Sequence, residues 1–285
     1  GGGGSVYTNG ATAYPGLGAA GGGDGATAPG SGYANGGDAT ANSGSGGGGG
    51  ASYTGTRGNG GAGGSGIVLI WYVSTDGTNS GHIITANGDV ANTRAQSKIG
   101  DSSIYFDGTG DSLSVPASSD WAFAANDFTI ECWLKFNDLT PAVSRAICSC
   151  YLNPPGNGWR LYFVPNYWYF SFWDTAGNVR YVDVGGWTPS TGTWYHFALV
   201  RDGDDFEFFI DGVSIGTDTE AYTLETPNQG IYIGDDYLGH DTYEFDGYMD
   251  EFRISNSARY TTTFTPQTTE FTADSNTKLL IHSNW

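Results

Sequence analysis

Cysteine is scarce in this sequence, and the number of cysteines is odd. The 285 residues include three, namely Cys132, Cys148 and Cys150. A disulfide framework usually has an even number of cysteines at wider spacing, and no CxxC or Cys/His cluster supplies the ligands of a zinc site. We interpret the three as small buried apolar side chains, with a Cys132–Cys148 bridge between neighbouring strands as the alternative.

Basic residues are few, and long apolar runs are absent. Eleven Lys and Arg stand against 30 Asp and Glu, so the formal net charge is −19. Nucleic acids and anionic membranes are bound by clustered Lys and Arg, and we therefore expect no nucleic-acid partner. The sequence has no run of apolar residues long enough to cross a bilayer, so we expect no membrane insertion. Because the chain begins with Gly1 rather than Met, we expect it to be an internal piece of a longer protein.

Glycine is distributed unevenly and divides the chain. Of 47 glycines, 28 lie in the first 66 residues, where Val6 and Leu17 are the only large aliphatic residues. This part cannot bury enough apolar surface for an ordinary core. It is either a flexible linker or a set of packed left-handed extended helices of the polyglycine II type. We favour the packed alternative, and we predict a glycine-rich arm over residues 1–66 and a second domain over residues 67–285.

The second domain has the pattern of short strands separated by turns. In FTIECWLKF, from Phe128 to Phe136, apolar residues alternate over nine positions, which predicts a half-buried strand. WYHFALVRDGDDFEFFIDGV predicts a hairpin that turns at residues 202–204. No segment has a helical period, so we predict an all-β fold, an antiparallel jelly-roll β-sandwich. Residues 67–73 are predicted to form a short strand, and residues 74–98 the first strand and loop of the sandwich.

Several of these segments occur in the order that a known family has them. SIYFDGTGDSLSVP, FTIECWLKF, the hairpin, IYIG and FDGYMDEFRIS, between about Ser102 and Phe264, resemble the laminin-G-like, concanavalin A-like jelly-roll module. The glycine blocks that end in GGAGGSGIVLIWYV resemble the glycine-rich domains of bacteriophage tail fibres and adhesins.

Together these resemblances imply a non-enzymatic virion structural protein, such as a tail fibre, tip or surface spike. Such a protein assembles with itself as a homo-oligomer, often a trimer, and with other virion proteins, and it attaches to host-surface glycans. The alternative is a subunit of a bacterial or environmental extracellular filament or surface adhesin. The expected location is therefore the virion or, in the alternative, the extracellular space or cell surface.

The segment EFDGYMDE, from Glu244 to Glu251, tests for catalysis, because some glucan hydrolases share this jelly roll. Their strand has Glu, Asp and Glu at alternate positions, so that two carboxylates flank the sugar. Here Glu244 and Asp246 fit, but Asp250 and Glu251 are adjacent and a strand would send them to opposite faces. We predict that the protein is not an enzyme and that Asp250 and Glu251 make structural hydrogen bonds or a salt bridge with Arg253. We likewise interpret the mid-strand His196 as structural.

The aromatic run from Tyr167 to Trp173 supplies candidate binding residues. Trp168, Phe170 and Phe172 would share one face of a strand, and Tyr167, Tyr169 and Trp173 the other. One set must fill the core. The second set either packs against the protein or a sister subunit or stacks on sugar rings, and Tyr167, Tyr169 and Trp173 are our candidate carbohydrate-binding residues.

Acidic residues are concentrated at the predicted turns, and hard cations take oxygen ligands from loops. Resemblance to pentraxin-like jelly rolls implies calcium ligands at Asp235 and Asp236, after IYIG, with Glu244 from the following turn. The alternative is that these acids are solvated turn residues. We expect no required cofactor, with calcium as the one candidate ion.

Overall fold

A computed structural model describes residues 6–7, 17–18, 22–28, 33–40, 45–53, 56–63, 81–139, 144–151, 156–236 and 243–283. By Cα proximity the chain divides into two compact units, Gly1–Val68 and Leu69–Trp285. The strand expected over residues 67–73 lies outside the described residues. Within them, no helix has the length and apolar character that crossing a membrane requires.

The described strands of the first unit are two residues long. They are β1 Val6–Tyr7, β2 Thr27–Ala28, β3 Ser52–Tyr53 and β4 Thr56–Arg57. Strand β1 pairs in parallel with β2, and β3 pairs in antiparallel fashion with β4.

Hydrogen bonds between extended segments of the first unit recur every three residues. The N–H of Gly23 donates to the carbonyl of Gly46 at 3.1 Å, and Ala26 donates to Gly49 at 3.0 Å. The pairs Gly36 to Asn59 and Ala39 to Ala62, both 2.9 Å, repeat the same step. A left-handed extended helix has three residues per turn and no internal hydrogen bonds, so its N–H groups must find partners on neighbouring segments. A packed polyglycine II arrangement requires this spacing, and for residues 1–66 as a whole it remains our proposal.

Glycine is required where these segments touch. A Cβ at Gly48 would lie 1.9 Å from the carbonyl oxygen of Asp24, and a Cβ at Gly61 would lie 2.0 Å from that of Gly37. At Gly63 the nearest atom, the carbonyl oxygen of Ser45, is 3.6 Å away.

We therefore expect Gly48→Ala or Gly61→Ala to speed amide exchange across residues 22–63 by about tenfold or more, since overpacking costs about 1–3 kcal/mol. Hydrogen-exchange mass spectrometry measures this, with Gly63→Ala as the matched control that stays at the wild-type rate. Equal exchange in all three variants would contradict close packing of the segments.

The second unit consists of strands and one short 3-10 turn. Its first part contains β5 Thr85–Asn87, β6 Ala91–Thr93, β7 Ser103–Asp107, β8 Ser112–Val115 and the turn Ser119–Trp121. Its middle part contains β9 Phe128–Phe136, β10 Arg145–Ser149, β11 Trp159–Val164, β12 Asn166–Trp173 and β13 Val179–Trp187. Its last part contains β14 Trp194–Asp202, β15 Asp205–Ile210, β16 Val213–Thr219, β17 Ile231–Ile233, β18 Asp246–Ser255 and β19 Thr277–Ile281.

These strands form two antiparallel sheets. The seven-stranded sheet has the order β13-β12-β11-β10-β17-β8-β5, and the eight-stranded sheet has the order β16-β15-β14-β9-β18-β7-β6 with β19 beside β18. Apolar side chains from both sheets form one core. The predicted all-β antiparallel sandwich is confirmed, and so is the hairpin, which is β14 and β15.

One prediction about β9 was wrong. Its core-facing residues from Phe128 to Phe136 are buried as expected, but Thr129, Glu131 and Trp133 on the opposite face are buried too. The chain after β18 returns over this face, where Phe271 and Leu280 pack with Trp133. A pattern along nine residues cannot reveal a cover that comes from more than 100 residues away.

The interpretation of the cysteines is confirmed. All three are free and buried, and all three belong to the core. Burial raises the pKa of the Cys132 and Cys148 thiols well above the ordinary value. These thiols stay protonated and are therefore poor nucleophiles.

Candidate functional site

The outer faces of the two sheets differ in what covers them. On the eight-stranded sheet, Glu131, Asp250 and Glu251 are all 0% exposed. On the seven-stranded sheet, Tyr167 is 45% exposed and Tyr181 is 49% exposed. Large aromatic side chains that remain in contact with solvent on a sheet face indicate a candidate ligand-binding surface.

We call the outer face of the seven-stranded sheet the open face and that of the eight-stranded sheet the covered face. Strand alternation determines which residues reach the open face. Trp168, Phe170 and Phe172 of β12 are fully buried in the core, as predicted. The intervening residues therefore point outward. Register carries one such row across all seven strands, in the order Tyr181, Ser171, Arg160, Ser149, Tyr232, Ser114 and Thr85. Ser149 and Ser171 are buried within this row, and its other five members are at least partly exposed. Six strand spacings make this row about 29 Å long.

One end of the open face is a tyrosine platform, which we define as Tyr162, Tyr167, Tyr169 and Tyr181. The rings of Tyr162 and Tyr169 are 5.1 Å apart at 11°, and those of Tyr167 and Tyr169 are 5.9 Å apart at 28°. Nearly parallel rings at these distances stack on one another, so Tyr162, which is buried, supports Tyr169, and Tyr169 supports the exposed ring of Tyr167.

Gly185 makes room for this platform. A Cβ there would lie 2.5 Å from the ring of Tyr167, so the ring lies over the backbone of β13. The structure therefore brings the two predicted residues Tyr167 and Tyr169 together on one surface.

The third predicted residue, Trp173, lies on the same face of β12 but is half-buried. It stacks on Tyr151 at 6.2 Å and 28°. A Cβ on Gly156 would come within 3.1 Å of its ring. Much of the Trp173 indole is therefore packed against the protein, whereas Tyr167 and Tyr181 are more accessible to a ligand.

A guanidinium group occupies the centre of the face. The Arg160 side chain lies 4.7 Å from the ring of Tyr151 and 5.0 Å from the rings of Tyr162 and Tyr243. Its Nη1 is 3.8 Å from Oδ2 of Asp236, and its Nε donates to Oγ of Ser171 at 3.0 Å. Burial raises the pKa of Tyr162 to about 12, although the charge of Arg160 opposes this. Cation–π contacts of this kind stabilise the ring positions.

Our sequence prediction did not include Arg160, Tyr151 or Tyr243. For Arg160 a signal existed, because WRLYFV alternates and places Arg160 and Tyr162 on the side away from Trp159 and Leu161. For Tyr243 there was none, since it lies in a loop far along the chain.

The other end of the open face contains a groove of about 350 Å³. Its lining includes Thr85, Ser114, Pro116, Asn228, Gln229 and Tyr232. The Gln229 side chain donates to the carbonyl of Cys150 and accepts the Asn228 N–H at 3.2 Å, so the floor of the groove is held by hydrogen bonds.

The three predicted calcium ligands each have a partner within the protein. Asp236 faces Arg160 as described above, the Asp235 carboxylate accepts the N–H of Asp236 at 2.7 Å, and the Glu244 carboxylate accepts the N–H of Gly110. Calcium binding by Asp235, Asp236 and Glu244 stays a prediction.

Among the described residues, three other acids come together. One carboxylate oxygen of each of Asp89, Asp107 and Asp111 lies within 4.8 Å of the others. Asp111 is 1% exposed and accepts the backbone N–H groups of Asp89 at 2.8 Å and Asp107 at 3.0 Å. Burial raises the pKa of Asp111 from 3.8 to about 6, with a further contribution from the charge of Asp107, while the backbone hydrogen bonds oppose the shift.

A raised carboxyl pKa in the folded state lowers stability as pH increases, because the folded state then holds the proton more tightly than the unfolded state. The favourable contribution is complete below about pH 4 and is lost as pH rises through 6. The free energy of unfolding of Asp111→Asn, relative to that of the wild type, should therefore increase by about 2 kcal/mol from pH 4 to pH 7. Urea unfolding at both pH values measures this, and a stability difference that does not change with pH would contradict the raised pKa.

Asp250 and Glu251 of the segment EFDGYMDE make hydrogen bonds within the covered face. Asp250 accepts the N–H groups of Lys98 and Ile99, both at 2.9 Å. Glu251 accepts the N–H of Phe271 at 2.6 Å and lies 2.9 Å from Nδ1 of His282. The predicted structural hydrogen bonds are confirmed.

The predicted placement of the two acids on opposite faces was wrong, and the alternative salt bridge with Arg253 is not the one that forms. A bulge between Asp250 and Arg253, with Glu251 at a φ of 51°, interrupts the alternation, so neither acid faces the core. Arg253 pairs with Glu131 instead, with Nη2 2.7 Å from Oε1.

Glu131 is the centre of a buried polar network. It also accepts the hydroxyl of Tyr260 at 2.8 Å and lies 3.3 Å from Nε2 of His196. Burial alone would raise the pKa of Glu131, but the contact with His196 and the charge of Arg253 lower it below its ordinary value. His196 is 0% exposed, so the structural role predicted for it is confirmed.

Two packed antiparallel sheets, one covered and one with an exposed aromatic face, define a lectin-like β-sandwich. The family described as the concanavalin A-like lectin/glucanases superfamily matches residues 107–262, more than half of the sequence. The chain belongs to this superfamily, which confirms the resemblance to the concanavalin A-like jelly-roll module. The resemblance of the glycine blocks to bacteriophage tail fibres and adhesins stays a prediction.

Similar solved structures share the fold at low sequence identity. The binding domain of Paraclostridial Mosquitocidal Protein 1 has a TM-score of 0.52 at 16% identity, covering 67% of this chain and 49% of that one. The Botulinum Neurotoxin serotype G binding domain has a TM-score of 0.50 at 14% identity, covering 67% of this chain and 48% of that one. This chain thus spans about half the length of those domains. No curated protein sequence matches it.

Proposed function

We propose that the protein is a non-enzymatic attachment module that binds glycans on the open face of the seven-stranded sheet. The observation that carries this proposal is the tyrosine platform, where the neighbouring strands β12 and β13 leave Tyr167 and Tyr181 about half exposed on one face of the sandwich. Flat aromatic rings match the CH side of a pyranose ring, and hydroxyl groups beside them can bind the sugar hydroxyls.

The similar structures support a binding role. Both are described as binding domains of toxins, and we extend that general role, and nothing more specific, to this chain.

The acids of the covered face are not placed to act on a substrate. Asp250, Glu251 and Glu131 are 0% exposed and hydrogen-bonded within the covered face. A glycosidase needs two carboxylates beside the substrate, and these acids cannot reach one. Incubation with polysaccharides should therefore release no reducing ends.

The setting we propose is a virion, where the protein would be part of a tail fibre, tip or surface spike and would assemble with itself and with other virion proteins. The adjoining glycine-rich unit with its three-residue hydrogen-bond period suits a stiff fibre element. An extracellular filament or surface adhesin of a bacterium is the second candidate. Capsid, portal and tail genes beside this gene would favour the first, and secretion genes the second.

A glycan array probed with the full chain, with and without calcium, tests the binding role. We expect binding to a restricted set of glycans. Calcium dependence would support the prediction for Asp235, Asp236 and Glu244, and calcium-independent binding would count against it. Failure to bind any glycan in either condition would contradict the proposed function.

A further inference from the structure

We propose that the groove at the Thr85 end of the open face is a second saccharide subsite and that the ligand is a long uncharged glycan. This inference rests on the proposed function and adds to it the class of ligand and the second point of contact.

The groove is uncharged in a strongly acidic protein. Of 285 residues 41 are charged, as 30 acids and 11 basic residues, yet the lining of the groove has no carboxylate, ammonium or guanidinium group. The hydroxyl of Thr85 and the amide of Asn228 line it. The hydroxyl of Ser114 accepts from Nδ2 of Asn87 at 3.1 Å and can still donate. Such groups offer both hydrogen-bond donors and acceptors, which complements the hydroxyl groups of a neutral sugar.

The tyrosine platform also favours an uncharged sugar over an acidic one. Asp183, which is exposed, pairs in register with Tyr169, and the Arg160 guanidinium already lies 3.8 Å from Asp236. An acidic sugar would meet the Asp183 carboxylate without a matching cation, and like charges at an interface oppose binding.

The groove is also a preformed feature. Thr85, Ser114 and Tyr232 lie on three hydrogen-bonded strands, β5, β8 and β17. The side-chain hydrogen bonds of Gln229 hold the adjoining loop to Cys150 and Asn228. A site built on strands loses little conformational entropy when it binds.

Position connects the groove to the platform. Thr85 and Tyr181 are the two ends of the same outward-facing row, about 29 Å apart at the usual strand spacing. A disaccharide can occupy one end only, whereas a long chain can engage both. Two linked contacts raise the apparent affinity above that of either alone.

Affinity gel electrophoresis of the full chain tests this. The probes are soluble neutral polysaccharides, namely galactomannan, arabinan, xylan and β-glucan, with polygalacturonate and hyaluronate as acidic counterparts. The groove variant is Thr85→Val/Asn228→Ala, which removes two hydrogen-bonding groups without touching the core. Its matched control is Thr262→Val/Asn256→Ala, at two exposed positions outside the open face.

We expect at least one neutral polysaccharide, and neither acidic one, to retard the wild type. The groove variant should bind that polysaccharide about tenfold more weakly, from the loss of two hydrogen bonds, with the control unchanged. Retardation of the wild type by acidic polysaccharides, or a groove variant equal to wild type on a neutral one, overturns this inference and leaves glycan binding intact. Retardation by none of the six overturns the inference of a long neutral ligand, and the glycan array decides the proposed function separately.

Discussion

Glu131→Gln is expected to destabilise the sandwich by about 3–5 kcal/mol, because it leaves a buried guanidinium without its counter-charge. Arg253 donates to Glu131 at 2.8 Å, and Glu131 is 0% exposed, so water cannot replace the missing carboxylate. All nine tryptophans lie beyond residue 70. Urea unfolding followed by tryptophan fluorescence therefore reports the sandwich.

The matched control removes a charge from an exposed pair. Nη2 of Arg94 lies 3.2 Å from Asp101 Oδ2, with side chains 63% and 54% exposed, and Arg94→Gln should cost at most about 1 kcal/mol. Because the pKa of Glu131 is lowered in the folded state, its contribution is present at neutral pH and is lost as pH falls through that pKa. The difference between Glu131→Gln and wild type should then shrink in acid. Equal losses of unfolding free energy in Glu131→Gln and Arg94→Gln at pH 7 would contradict a buried network that stabilises the covered face.

Tyr167→Ala/Tyr181→Ala is expected to weaken glycan binding by about tenfold or more, since stacking on each aromatic ring contributes about 1 kcal/mol. Both side chains are about half exposed, so the change in unfolding free energy should stay within about 1 kcal/mol. Isothermal titration calorimetry with a glycan identified on the array measures the affinity.

Tyr33→Ala is the control for this pair. Tyr33 is 56% exposed but belongs to the first unit, so its removal should leave the affinity unchanged. If Tyr33→Ala weakens binding and the platform variant does not, recognition lies in the glycine-rich unit and the proposed site is wrong.

The sequence was sufficient to predict the sandwich and several of its strands. Alternation in Tyr167–Trp173 correctly assigned Trp168, Phe170 and Phe172 to the interior, because period two is a local property of a strand. The second face of β9 could not be predicted in this way, since its cover comes from residues after β18. The bulge at Glu251 could not be predicted either, because a positive φ at a non-glycine residue has no clear sequence signal.

The candidate site was predictable only in part. Tyr167 and Tyr169 follow from the same alternation, but Arg160 acquires its setting from Tyr151, Tyr243 and Asp236, which come from separate parts of the chain. The groove likewise combines strands β5, β8 and β17 with the loop at Asn228. Sites assembled from distant segments depend on sheet order, and sheet order is not a local property of the sequence.

We propose the open face of the seven-stranded sheet as the binding surface. Hydrogen-exchange mass spectrometry of the full chain, with and without a bound glycan, tests it most directly. We expect protection in residues 159–187, which carry the tyrosine platform, and unchanged exchange in residues 246–283 of the covered face. Protection confined to residues 246–283 or to residues 1–66, with none in residues 159–187, would contradict the account.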